Sequence, residues 1–113
     1  MKVNQSAMMT KIQQNECNKL GEALARLRIA RKVKQSEAAL RAGLSRNTLY
    51  RIEKGDPGVA VGQILRYLEA IAPGSTLLDL LSEQDPALIA LSAREKTKRV
   101  RDMSSQELKE LDF

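Results

Sequence analysis

Residues 42–55 read AGLSRNTLYRIEKG, and they crowd Arg46, Asn47, Arg51 and Lys54 into one short stretch of a chain otherwise poor in reactive groups. A guanidinium presents a planar fork of donors, and a carboxamide both donates and accepts, so this set is equipped for hydrogen-bonded recognition more than for bond breaking. The 113-residue sequence has no His, one cysteine (Cys17), one Phe, two Tyr and no Trp, which removes most acid–base, nucleophilic and metal-binding chemistry. Carboxylates and lysines fall on polar helix faces with no nucleophile or glycine-rich phosphate loop beside them. No enzyme, cofactor or metal site is therefore expected.

Charge is distributed in the same direction. The chain carries a formal +5 with a pI near 9.6. Arg31, Lys32, Lys34, Arg41, Arg46, Arg51 and Lys54 face only Glu37 and Glu53 within residues 31–54, so that stretch holds the whole excess and the remainder sums to zero. Cations concentrated this way can neutralise phosphates and release counterions, whereas a scattered excess mainly confers solubility. No apolar run approaches the roughly 20 residues needed to cross a bilayer, and the opening MKVNQSAMMTKIQQN lacks the apolar centre of a signal peptide. A reducing, cytoplasmic setting with no membrane partner is expected, in which Cys17 is a buried small hydrophobe, a surface thiol or an intermolecular bridge.

The elements that position the cations are helical. Leu20, Leu24, Leu27 and Ala30 line one face of a first helix, with Arg26, Arg28 and Arg31 elsewhere on the wheel. QSEAALRA forms a second, short helix ending at Gly43, which suits the left-handed conformation after a helix C-terminus. Ser45 caps a third helix from Arg46 to about Lys54, with Leu44 packed on Leu49 as a hydrophobic staple. Gly55, Asp56, Pro57 and Gly58 break the chain. A fourth helix carries Val61, Ile64, Leu65, Leu68 and Ile71, and a short fifth, capped by Ser75 or Thr76, carries Leu77, Leu78 and Leu81. Asp85 and Pro86 open a sixth segment, apolar at first and cationic later.

Two short helices joined by a glycine turn form the helix-turn-helix unit, whose first helix crosses the DNA backbone and whose second enters the major groove. Each position has a physical demand: Ala38 and Ala39 are small for close approach, Gly43 takes a conformation that a Cβ resists, and Leu49 with Ile52 hold the third helix to the core. Arg46, Asn47, Tyr50 and Arg51 are then left on outer or flanking faces.

The stretch LGEALARLRIARKVKQSEAALRAGLSRNTLYRIEKGDPGVAVGQILRYLEAI resembles the DNA-binding domain of the Xre/Cro/lambda-repressor family, with its Gln-x-Glu-x-Ala opening, Ala-Gly-x-Ser turn and x-Ile-Glu-x-Gly ending in order. The resemblance implies an all-α fold: a five-helix lambda-repressor-like domain over residues 18–82, an arm or frayed helix over 1–17, and a partly helical or partly disordered tail over 83–113. It further implies that Arg46, Asn47 and Arg51 read base edges, Arg pairing with guanine O6 and N7 and Asn with adenine N6 and N7. Gln35 matches a glutamine that contacts a phosphate and braces the reading helix. Ser45 through its amide, Thr48, Tyr50 and Lys54 are candidate backbone contacts. Where the family has Thr or Ser this chain has Lys34, which forfeits a side-chain cap at a cost of about 1 kcal/mol and offers a phosphate partner instead.

Rival readings stay open. The Arg46–Asn47–Arg51 face is alternatively an ordinary solvated surface, Gln35 a plain first-turn residue, and the cluster Arg94, Lys96, Lys98, Arg99 and Arg101 a solvated or disordered tail or a second phosphate strip. Leu77, Leu78 and Leu81 are expected in the core, whereas Leu80, Leu88, Ile89 and Leu91 exceed what so small a domain can bury. The fifth helix and residues 85–101, with Leu77, Leu80, Leu81, Leu88, Ile89 and Leu91, are thus assigned to dimer or partner contacts, and truncation after Ser82 is expected to leave a folded monomer. The expected activity is transcriptional regulation, chiefly repression, by a homodimer on an inverted-repeat operator in double-stranded DNA. The alternatives are a HipB-type antitoxin that binds a toxin through its C-terminal region and a protein-interaction adaptor without a DNA role.

Overall fold

The computed structural model describes residues 4–82 and 85–111, with side chains described through residue 100. Among the described residues the chain is helical with no strand: a 3₁₀ turn at Gln5–Met8, then α1 (Lys11–Ala30), α2 (Gln35–Ala42), α3 (Arg46–Glu53), α4 (Val61–Ile71), α5 (Leu77–Leu81) and α6 (Pro86–Leu111). The five helices α1–α5 build the all-α, lambda-repressor-like arrangement expected from the sequence. No described helix is long and apolar enough to cross a membrane.

The helix ends follow from local chemistry. Ser45 Oγ accepts the Thr48 N–H at 3.0 Å, Thr76 Oγ1 accepts that of Asp79 at 3.1 Å, and Asp85 Oδ1 accepts that of Ala87 at 2.8 Å. At the other ends, α2 and α3 close in the same way. Gly43 (φ 65°) and Gly55 (φ 74°) are left-handed, and the amides that follow them, Leu44 and Asp56, donate back to the carbonyls of Ala39 and Arg51 at 2.9 and 3.0 Å. Arg66 reaches from α4 to the first of these closures, its Nε donating to the Ala42 carbonyl at 3.0 Å and its Nη2 to that of Gly43 at 2.7 Å. The turn between α2 and α3 is therefore clamped from outside as well as shaped from within.

One core serves the whole domain. Leu24, Leu27, Leu49, Ile52, Tyr67 and Leu68 are fully buried, each removing apolar surface worth about 1.5–3 kcal/mol, and Leu44 packs against the same cluster beside Leu49. Val61 and Leu65, which share the helical spacing of α4, stay exposed because Tyr67, Leu68 and Ile71 take the inward face.

The ends of the domain differ from the sequence expectation. Of the arm or frayed helix expected over residues 1–17, residues 11–17 form the first turns of α1, because Thr10 and Gln13 make a reciprocal capping box. At the C-terminal side, Leu80 and Leu88 were expected on a contact surface and are 3% and 5% exposed, so both belong to the core. Asp85 is buried beside them, paired with Arg31 at 2.5 Å. Truncation after Ser82 would remove Asp85 and Leu88 from this packing. Conversely Leu78 and Leu81, expected inside, are 75% and 66% exposed, since a five-residue helix turns only one side to α1.

Gly21 and Gly55 mark where α1 lies directly on the end of α3. A Cβ on Gly21 would meet the Gly55 amide nitrogen at 2.5 Å and the Glu53 carbonyl oxygen at 2.7 Å, and one on Gly55 would meet the Cys17 carbonyl oxygen at 2.3 Å. Backbone cannot yield as a side chain can. Gly21→Ala should destabilise the protein by about 3 kcal/mol, read as a lowered urea midpoint; an unchanged midpoint would show that the two backbones separate at little cost.

Candidate nucleic-acid interface

At 100° per residue, Arg46, Asn47, Tyr50, Arg51 and Lys54 fall within an arc of about 140° on α3, Leu49 and Ile52 occupy the other side, and Glu53 borders the arc next to Arg46. The burial agrees with that geometry. Leu49 and Ile52 are 1% and 2% exposed, while Arg46, Asn47, Tyr50 and Lys54 are exposed and Arg51 is partly so. Lys54 Nζ stands 5.3 Å from the centroid of the Tyr50 ring, close enough for cation–π attraction. Among the described residues no carboxylate pairs with Arg46, Lys34 or Lys54.

What holds α3 in place is a buried ion pair that the spacing of apolar residues did not reveal. Arg28 of α1 makes a two-pronged contact with Glu53, Nε to Oε2 at 2.6 Å and Nη2 to Oε1 at 3.1 Å, with side-chain exposures of 12% and 8%. Gln35 Nε2 donates to Glu53 Oε1 at 3.0 Å, and the fully buried Tyr67 donates its hydroxyl proton to Oε2, with the Leu24 carbonyl 3.2 Å away. One carboxylate thereby joins α1, α2, α3 and α4. The only signal in the sequence was Glu53 itself, within the x-Ile-Glu-x-Gly ending.

The expected backbone-contact residues lie at the starts of α2 and α3 and along α3 to its C-cap. Gln35 is the first residue of α2 and braces α3 through Glu53, leaving its second amide proton and its carbonyl unengaged. Lys34 precedes it as a cap residue with no side-chain capping bond, as the missing Ser or Thr requires, and Glu37 sits in the first turn, paired with Arg41. Ser45 and Thr48 are joined hydroxyl to hydroxyl at 2.9 Å, and Ser45 caps α3 with its oxygen. Arg51 is partly committed: its Nε donates to Asp56 Oδ2 at 2.7 Å.

The surface expected for dimer or partner contacts is split. Leu81 and Ile89 are 66% and 58% exposed, Leu77 and Leu91 are partly buried against the core, and Leu80 and Leu88 are inside it. Arg94, Lys96, Lys98 and Arg99 are exposed along the continuous helix α6 and spread around it, not gathered on one face, while the side chain of Arg101 lies outside the described residues. Glu95 is drawn back to Arg26 of α1 at 2.6 Å. Cys17 is half-buried and free.

A cationic helix seated on a glycine turn, with a second helix of equal length braced to it through Gln35 and Glu53, defines a helix-turn-helix DNA-binding domain. A protein-family profile described as "Helix-turn-helix domain" matches residues 19–81, and the chain belongs to that family. Searches of the curated proteins and of the solved structures returned no match.

The Glu53 network carries a pH signature. Burial opposes ionisation of Glu53, and hydrogen bonds from Arg28, Tyr67 and Gln35 more than offset it, so its pKa lies below the ordinary 4.5. Tyr67 moves the other way, raised by its burial and by the Glu53 carboxylate. A carboxyl depressed in the folded state contributes stability that is complete above its unfolded pKa and is lost as pH falls through the folded one. Thermal melts of the native protein should therefore show this contribution fading below about pH 4.3. Glu53→Gln should abolish that part of the pH dependence and cost about 3 kcal/mol near neutrality by leaving Arg28 unpaired; a variant as stable as the parent would contradict the bracing role.

Proposed function

We propose that the protein is a sequence-specific transcriptional regulator, acting as a repressor in the cytoplasm, that lays α3 in the major groove of double-stranded DNA. The observation that carries this reading is the outward arc of α3, where Arg46 and Asn47 stand exposed at the N-terminal end of a helix whose inner side is packed through Leu49 and Ile52 and whose last residue, Glu53, is held by Arg28. Arg46 and Arg51 offer guanidinium edges to guanine O6 and N7, and the Asn47 carboxamide matches adenine N6 and N7. Lys34, Gln35, Ser45, Thr48, Tyr50 and Lys54 surround that arc and contact phosphates, which fixes register without selecting sequence.

One helix reads too few base pairs to find a site in a genome, since each correct pair contributes only about 1–3 kcal/mol. The protein therefore acts as a two-fold dimer on an inverted repeat with half-sites about 34 Å apart. Leu78 and Leu81 of α5 and Ile89 of α6 supply exposed apolar surface for that contact. If a toxin covers this surface in place of a second copy, the DNA chemistry is unchanged and the isolated chain sediments as a monomer.

Selection from random duplexes should return a symmetric motif. Arg46→Ala should relax preference at one position of each half-site, at a cost of about 1–3 kcal/mol, whereas Lys54→Ala should weaken all sequences alike and lower the salt slope by about one. Failure of the native protein to enrich any sequence would refute base reading. Leu81→Glu combined with Ile89→Glu, both at exposed positions, should give a folded monomer in sedimentation that no longer prefers the inverted repeat; a persisting dimer would remove these residues from the contact.

A further inference from the structure

The turn after α3 places a carboxylate against one of the cations assigned to base reading. In the closure at Gly55, the amide of Asp56 donates to the Arg51 carbonyl at 3.0 Å, so residues 51 and 56 are brought face to face by backbone geometry alone. Helices that end this way commonly bury an apolar contact at these two positions. Here the contact is ionic: Arg51 Nε donates to Asp56 Oδ2 at 2.7 Å. The other carboxylate oxygen is fixed by the loop, since Oδ1 accepts the Gly58 N–H at 2.7 Å. Gly58 also leaves room for the guanidinium, because a Cβ there would lie 3.2 Å from Arg51 Nη2.

A guanidinium has two donor edges, one containing Nε and one made of the terminal Nη1 and Nη2. Asp56 occupies Nε with a single oxygen and leaves the terminal edge open on the outward arc of α3. With Nε engaged, that edge still offers the two parallel donors a bidentate contact with guanine needs. Resting on the DNA-reading assignment above, we infer that Asp56 is a positioning residue for sequence discrimination: it holds Arg51 in the orientation that offers its terminal edge to a base. An untethered arginine at this position would distribute its rotamers and reach phosphates as readily as bases, gaining affinity without selectivity. The carboxylate also subtracts one positive charge from the surface, which suppresses binding to arbitrary sequence.

Asp56→Asn isolates the charge, because an Asn carbonyl still accepts the Gly58 N–H and the turn is kept. Affinities of the native protein, Asp56→Asn, Arg51→Ala and the double variant are measured for the selected operator, for the operator changed at the Arg51 or the Arg46 position, and for unrelated duplex across a salt series. Asp56→Asn should bind unrelated duplex more tightly with a steeper salt slope, and should lose discrimination at the Arg51 position by about tenfold. In native and Arg51→Ala backgrounds alike, the same substitution should leave discrimination at the Arg46 position untouched, an outcome that a general loosening of the turn would not give. Undiminished discrimination at the Arg51 position in Asp56→Asn, or an equal loss at the Arg46 position, overturns the inference while leaving the DNA-reading assignment standing. Absence of any preferred sequence for the native protein overturns both.

Discussion

The carboxylate of Glu53 is the point on which the orientation of α3 depends. It sits at the last residue of that helix and is gripped by Arg28, Gln35 and Tyr67 from three other helices. Burying such a charge is costly, and a lone Glu–Arg pair would barely recover its desolvation. Here every lone pair that faces inward has a donor, so the group becomes a register pin: α3 cannot rotate or slide without stranding a charge. Apolar packing through Leu49 and Ile52 supplies attraction but tolerates repacking, whereas hydrogen bonds fix angle.

Around that pin Arg46, Asn47, Tyr50 and Lys54 stay exposed. The α2–α3 turn is closed by left-handed Gly43 and held by Arg66, and the far end of α3 is closed by Gly55 against the backbone of α1. Both ends being fixed, an eight-residue helix that would be marginal in isolation becomes a rigid platform. Rigidity serves recognition, because side chains presented from an ordered backbone lose less entropy on binding. The Arg51–Asp56 contact extends the same principle from the backbone to a side chain.

The C-terminal region has two roles in one helix. Its first turns complete the core through Asp85 and Leu88, and its later turns carry exposed cations and the apolar Val100 into solvent. This explains why domain and tail do not separate at residue 82: the small core of α1–α4 leaves apolar surface on α1 that α5 and the start of α6 must cover.

Much of the architecture was legible in local sequence, since capping residues, glycines and helical periodicity act within a few positions. Ser45, Gly43, the Leu44–Leu49 staple and the outward placement of Arg46 and Asn47 follow from such rules, and so does the helix-turn-helix fold. Decisions involving distant residues were hidden. Whether Leu80 or Leu81 turns inward depends on which side of α5 meets α1, and a run of leucines carries no preference on the matter. Arg28 and Glu53 read as ordinary surface charges until α1 and α3 cross, and Gly21 reads as a weak helix residue until the backbone at Gly55 arrives beside it. The chain's own sequence determined its helices, most of their ends and the chemistry of the outward side of α3. Tertiary packing alone decided which polar groups are buried together and which apolar ones are left outside, because desolvation and close contact are properties of neighbours that the sequence does not place side by side.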